Sequence, residues 1–138
     1  MTFDDLVLAP LLLKKLRAHF TSLAADYGMS AVQAKVLLVL QPAGAMTMRT
    51  LAAQLQYDAS NLTGVVDRLE QLGAVRRESP AHDRRAKAVV LTTEGQRMRQ
   101  KFWEPLTNNT GPLGRLNGHD LASLRSLLRS AMRNAAPK

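Results

Sequence analysis

Residues 47–73 read Thr47-Met-Arg-Thr-Leu-Ala-Ala-Gln-Leu-Gln-Tyr-Asp-Ala-Ser-Asn-Leu-Thr-Gly-Val-Val-Asp-Arg-Leu-Glu-Gln-Leu-Gly73. A hydroxyl at Thr47 precedes a short run, Met48 to Leu55, and a second capping side chain, Asp58 or Ser60, precedes a longer one that ends at Leu72. Such side chains accept hydrogen bonds from the unpaired N–H groups of a helix's first turn, and a glycine such as Gly73 takes the left-handed backbone that stops a helix. Only Gln56, Tyr57 and Asp58 lie between the runs. The spacing therefore predicts two short helices held across each other at a tight turn, a helix-turn-helix. Beyond Gly73 the period changes. Val75 to Glu78 and Ala88 to Leu91 read as strands, and the polar stretch Ser79 to Lys87 between them is too long for a two-residue turn. A β-hairpin directly after a helix-turn-helix is a wing.

The flanking segments read as helices. Leu13, Leu16, Phe20, Leu23 and Tyr27 fall at helical spacing on one stripe, and Leu11 and Leu12 widen it so that the helix can meet both its own domain and a partner chain. Pro10 is expected in its first turn and Gly28 as its stop. Ser30 with Gln33 forms a capping box for a helix of about eleven residues that carries Val32, Val36, Val39 and Leu40. Thr92 caps a later helix with Met98, Phe102 and Leu106 on one face, which Pro105 is expected to kink or end. Gly111, Pro112, Gly114 and Gly118 break the chain; Asn117 with Asp120 then opens a last amphipathic helix through Leu121, Leu124, Leu128 and Ala131. The count is about six helices and a two-stranded wing.

At 100° per residue, Leu62, Val65, Val66, Leu69 and Leu72 share one arc of the second helix of the pair, the face expected to be buried. Ser60, Thr63, Gly64, Asp67 and Gln71 take the opposite arc, with Asn61 and Arg68 on its edge. Short hydroxyls, an amide and a guanidinium can reach base edges or phosphates in a major groove, and Gly64 lets the groove wall approach the backbone. A solvated surface helix would also be polar. Five basic residues, Arg76, Arg77, Arg84, Arg85 and Lys87, stand against Glu78 and Asp83 in the hairpin. Arginine at a wing tip can enter a minor groove, where the potential is most negative. Asp67 would repel phosphate unless it pairs with a wing arginine or accepts from a cytosine amine.

The whole chain has 138 residues and a formal charge of +8, with nineteen Lys and Arg against eleven Asp and Glu. That charge favours a polyanionic partner. The absence of cysteine excludes disulfides, thiolate metal sites and thiol sensing. The longest apolar run, Leu6 to Leu13, is too short to span a bilayer and the start is acidic, so a cytoplasmic protein without membrane contact is expected. His19, His82 and His119 fall on separate elements without metal-ligand spacing, and the sequence holds no phosphate loop or nucleophile motif. No metal, cofactor or catalytic residue is therefore assigned. Phe20, Tyr27, Met46 and Trp103 are the candidates for an apolar ligand cavity.

From Thr47 through Gly95, four segments carry a family resemblance: Asp58-Ala-Ser-Asn-Leu-Thr-Gly-Val-Val-Asp-Arg-Leu-Glu, Gly73-Ala-Val-Arg-Arg, Asp83-Arg-Arg and Leu91-Thr-Thr-Glu-Gly. In these the chain resembles MarR-family transcription regulators, and the order of elements on both sides agrees. The resemblance implies a mainly α winged helix-turn-helix and an obligate homodimer joined through the first and last helices. It also implies a pseudo-palindromic double-stranded DNA operator, repression, and release by a small aromatic effector. On this reading residues 1–28 and 96–138 dimerise and 30–95 bind DNA. Ser60, Asn61, Thr63, Gly64, Arg68, Arg77, Arg84, Arg85 and Lys87 meet the DNA, and Asp67, Asp83 and Arg85 orient the wing by ion pairs. Two departures stand out: Gln56 sits where glycine is common, tolerable if its φ stays negative, and Gly and Pro interrupt residues 105–118. The alternative from another class is a winged-helix module that docks an acidic protein.

Overall fold

The structure, a computed structural model, describes residues 1–42, 44–79, 87–107 and 111–134, with the side chains at 106 and 107 outside that description. Chain order is α1 (Phe3–Asp26), α2 (Ala31–Val39), β1 (Met46–Thr47), α3 (Met48–Leu55), α4 (Ala59–Gln71), β2 (Val75–Glu78), β3 (Ala88–Leu91), α5 (Thr93–Thr107) and α6 (Gly118–Asn134). Capping side chains set the helix starts. Thr2 with Asp5 and Ser30 with Gln33 form reciprocal capping boxes, Thr47 accepts from the Thr50 N–H, and Asp58, rather than Ser60, caps α4. Gly28 and Gly73 follow α1 and α4 with φ of +70° and +75°, the left-handed conformation a helix stop needs.

Five features depart from the sequence expectation. The wing sheet has three antiparallel strands in the order β1-β3-β2, because Met46 and Thr47 pair with Val89 and Ala88. Pro10 is the eighth residue of α1 rather than a first-turn residue, since the Thr2–Asp5 box starts the helix earlier. Leu72 is exposed, because α4 ends at Gln71 and Gly73 turns the chain away just after it. Gln56 takes φ 50° and ψ 47°, a left-handed residue that ends α3 where negative φ was expected. α2 also stops after nine residues, at Val39.

Pro105 neither ends nor precedes the end of α5 by more than two residues. Its missing N–H would have bonded the carbonyl four residues back, that of Lys101. The Tyr27 hydroxyl donates to that carbonyl at 3.1 Å instead.

The core gathers where α2 packs against α1, α3, α4 and α5. Leu37 of α2, Leu40 just after it, Leu51 of α3, Leu62, Val66 and Leu69 of α4, Val75 and Val89 of the sheet and Phe102 of α5 are fully buried. Each such side chain stabilises by about 1.5–3 kcal/mol relative to exposure. Phe102 is met edge-on by Phe20 at 5.2 Å and Tyr27 at 6.0 Å. Arg99 donates to the Leu37 and Leu38 carbonyls, closing the end of α2 against α5.

One junction positions the wing. The Thr92 N–H donates to the Ala74 carbonyl, the Thr92 hydroxyl donates to the Gly73 carbonyl, and the Gly95 N–H donates to that hydroxyl. Gly95 lies so close that an added Cβ would stand 1.8 Å from the Ala74 oxygen. The end of α4, the base of β2 and the start of α5 are thus one unit. By contrast, α6 has no buried residue among those described, and the amino-terminal half of α1 leaves Leu6, Leu8, Leu11 and Leu13 exposed. Among the described residues, no helix is long and apolar enough to cross a membrane.

Candidate nucleic-acid interface and adjoining cavity

The outer face of α4 is exposed along its length: Ser60, Asn61, Thr63, Gly64, Asp67, Arg68 and Gln71. Asp58 shapes its first turn by accepting from both the N–H and the hydroxyl of Ser60, at 3.0 and 2.9 Å. The Thr63 hydroxyl donates to the Ala59 carbonyl at 3.2 Å, and Arg68 donates to the Gln71 amide oxygen at 3.4 Å. Space around Gly64 is open, with nothing within 4 Å of an added Cβ. The polar groups therefore stand on a ridge with one smooth gap, a surface another macromolecule's backbone can approach.

Arg77 binds this helix to the wing. From β2 its guanidinium donates to Asp67 at 2.6 Å, to Glu70 at 3.2 Å and to the Thr63 carbonyl at 3.4 Å. Its own backbone N–H donates to Glu70 at 3.2 Å. The reason is geometric: at 100° per residue Thr63, Asp67 and Glu70 share a sector of about 60°, and β2 runs along it. The Arg77 side chain is 19% exposed while Asp67 is 53% exposed. Among the residues expected at the DNA, Arg77 is thus committed within the protein, and it answers the repulsion Asp67 would otherwise offer to phosphate. Glu70 was not singled out from the sequence, although its place three residues after Asp67 puts it on the same flank.

Arg76 is likewise paired, donating to Glu78 at 2.7 Å. Lys87 is exposed and makes no ion pair among the described residues. Asp83, Arg84, Arg85 and His82 lie outside the described residues. With Arg76 and Arg77 neutralised, the charge available to a polyanion from the described part of the wing is that of Lys87.

A second concavity of about 780 Å³ opens beside α1. Leu13, Leu16, Arg17, His19, Phe20 and Thr21 line it from α1, Ala31 and Lys35 from α2, the turn from Gly111 to Gly114 from one side and Leu121 from α6. Of the four residues expected around a ligand, Phe20 lies there. Tyr27 is tied to Lys101, Met46 pairs in the sheet, and Trp103 lies on α5 under the Arg99 guanidinium at 5.6 Å. His119 is exposed on α6 and is not part of that lining. No cluster of three His, Cys, Asp or Glu able to hold a metal occurs among the described residues.

Helix pair, three-stranded wing and exposed polar helix together define a winged helix-turn-helix protein. Residues 27–86 match the model of the MarR family. The HTH-type transcriptional regulator YfiV of Bacillus subtilis is 36% identical over 76 residues, 55% of this chain and 48% of its own. BpsR of Bordetella bronchiseptica, solved in a study of how 6-hydroxynicotinic acid regulates its DNA binding, is 26% identical with a TM-score of 0.75, covering 96% of each chain. CouR of Rhodococcus jostii RHA1, solved with p-coumaroyl-CoA, reaches a TM-score of 0.81 over 99% of this chain and 94% of its own, and at 24% identity that likeness is one of fold. In the fold as a whole, and in sequence over residues 27–86, the chain is similar to MarR-family winged-helix proteins. It spans about half to three-fifths of the length of curated relatives of this kind.

Proposed function

We propose that the protein is a sequence-specific, DNA-binding transcription regulator that acts as a homodimer on a pseudo-palindromic operator and represses. The observation that carries this reading is the outer face of α4, polar and unobstructed, with its exposed carboxylates, Asp67 and Glu70, already engaged by Arg77 of the wing. Asn61, Thr63 and Arg68 are the groups that read base edges, while Ser60 and Gly64 allow close approach. Lys87, with Arg84 and Arg85, gives the wing its contact to phosphate or the minor groove. The two-fold geometry comes from the exposed apolar faces of α1 and α6. A small organic ligand that shifts the spacing of the two DNA-binding lobes would release the operator, and a preference of about 1–3 kcal/mol between spacings suffices. A protein-docking winged helix would present large apolar side chains on the outward set of α4, which here has none.

The test is fluorescence anisotropy with duplexes taken from just upstream of the coding sequence. An inverted repeat with half-sites about one helical turn apart should bind far more tightly than its scrambled version, with affinity falling steeply in salt. Equal affinity for the repeat and the scramble would refute sequence-specific binding.

A further inference from the structure

α5 is held twice just before Pro105, once from α2 and once from the end of α1. The Arg99 guanidinium donates to the Leu37 carbonyl at 3.1 Å and to the Leu38 carbonyl at 3.2 Å. These belong to the last turn of α2, whose carbonyls have no partner along their own helix, and α2 carries no basic residue of its own there. A guanidinium in that place satisfies both and meets the negative end of the helix dipole. Two residues on, the Lys101 carbonyl, which Pro105 leaves without a backbone donor, accepts from the Tyr27 hydroxyl at 3.1 Å. Tyr27 closes α1, and its ring meets Phe102 edge to face.

The place of these contacts in the fold gives them a consequence. Phe102 is the last buried residue of α5 among those described, and α6, which follows α5 in the chain, has no buried residue among those described. On the other side, α2 packs on α3 and α4. The direction in which α5 leaves the core therefore sets where the apolar face of α6 stands relative to the outer face of α4. A proline lets that direction vary, because it removes one hydrogen bond of the helix ladder and presses on the carbonyl it leaves unpaired. Tyr27 returns the missing bond from a different element, and Arg99 fastens the preceding turn to α2.

We propose that residues 99–105 of α5 form the joint that fixes the distance between the two DNA-binding lobes of the homodimer, with Tyr27 and Arg99 as its positioning residues. Neither side chain lies on the outer face of α4 or in the wing, so both act on DNA recognition through the spacing of the lobes and not by touching DNA. The proposal deepens the functional reading and rests on its homodimer. Loss of either contact leaves each lobe intact and frees the angle between them.

The chain has no cysteine, so Gln54→Cys, at an exposed position on α3, takes one nitroxide per protomer. Double electron–electron resonance on the full chain without DNA should give one narrow distance between lobes. Tyr27→Phe, which keeps the ring and loses only the hydroxyl, should widen the distribution at least about twofold. Adding Pro105→Ala to Tyr27→Phe should restore the narrow distribution, because residue 105 then donates its own N–H to the Lys101 carbonyl. Arg99→Met is the second variant and should widen it without rescue by Pro105→Ala. A merely structural contact would lower the urea midpoint and leave the width for the folded chain unchanged. Native width in both variants, failure of Pro105→Ala to rescue Tyr27→Phe, or no dipolar signal from the native chain, which would remove the homodimer as well, would overturn the proposal. Anisotropy separates the joint from the regulator. Given the inverted repeat and versions with half-sites moved apart by a few base pairs, the native chain should prefer one spacing by at least about tenfold and Tyr27→Phe by less than about threefold, with single half-site binding unchanged. Native width and spacing preference in the variants, or a preference that survives widening, refute the joint alone; widened distances in a protein that ignores the repeat uphold the joint and refute the regulator alone.

Discussion

Gln56 ends α3 with a left-handed backbone, and the residue carries a Cβ that such a conformation opposes. Glycine meets no such opposition, though it loses more freedom on folding. Gln56→Gly should therefore stabilise the fold by about 0.5–1 kcal/mol, read as a higher urea midpoint at unchanged slope. Arg77 is the second residue whose role the geometry defines. Held by Asp67, Glu70 and the Thr63 carbonyl, it sets the wing against α4 rather than touching phosphate. Arg77→Met should cost about 1 kcal/mol of stability, since its partners are half-exposed. It should also weaken DNA binding without changing the slope of log affinity against log salt. A slope reduced by about one would instead place Arg77 on a phosphate. The sequence held the sign of this interaction, an Asp67 in need of a wing arginine, but not the partner. Which arginine faces α4 depends on the β2 register, in which Arg77 opposite Val89 turns toward the helix.

At the scale of elements, most boundaries were legible because local chemistry writes them. Thr47, Asp58, Ser30, Gly28 and Gly73 each end or start a helix through a hydrogen bond or a backbone conformation within a few residues. β1 was not legible: two residues carry no period, and their pairing with β3 spans more than forty positions of chain. The passage of α5 through Pro105 was hidden for the same reason, since the relief comes from Tyr27 on α1. That contact also takes Tyr27 out of the expected ligand set. The cavity lining was legible only at Phe20, because Gly111 to Gly114 and Leu121 reach α1 through the fold and not through any motif. The start of α1 yields a pH prediction. Hydrogen bonds from the Thr2 backbone N–H, and then from its hydroxyl, hold the Asp5 carboxyl below its ordinary value of 3.8. A lowered folded value means the capping box is fully formed above the unfolded value and is lost as pH falls through the folded one. Chemical shifts of residues 3–6 should thus stay helical down to about pH 4 and move toward coil only below it. Asp5→Asn should abolish that transition.

For the whole molecule, the outstanding feature is apolar surface that one copy leaves uncovered. Leu6 is 60% exposed on α1, and Leu127, Leu128 and Met132 are 67%, 55% and 52% exposed on α6. Faces of this kind mark association sites. A second copy covering them would give the symmetric spacing that a palindromic operator needs. Because neither Leu127 nor Leu128 is buried within the protomer, replacing both with Glu should produce a folded monomer by sedimentation, with helical circular dichroism retained. The same variant should lose at least tenfold in affinity for an inverted repeat while binding a single half-site as before. The central claim remains that the outer face of α4 reads DNA sequence. Its most direct test is the ratio of affinities for the operator and for random duplex, measured by anisotropy for the native chain and for the double variant Asn61→Ala with Thr63→Ala. The account predicts that the ratio falls by tenfold or more, since each base-edge contact carries about 1–3 kcal/mol of discrimination, while affinity for random DNA is little changed. A ratio left intact in the double variant would contradict it.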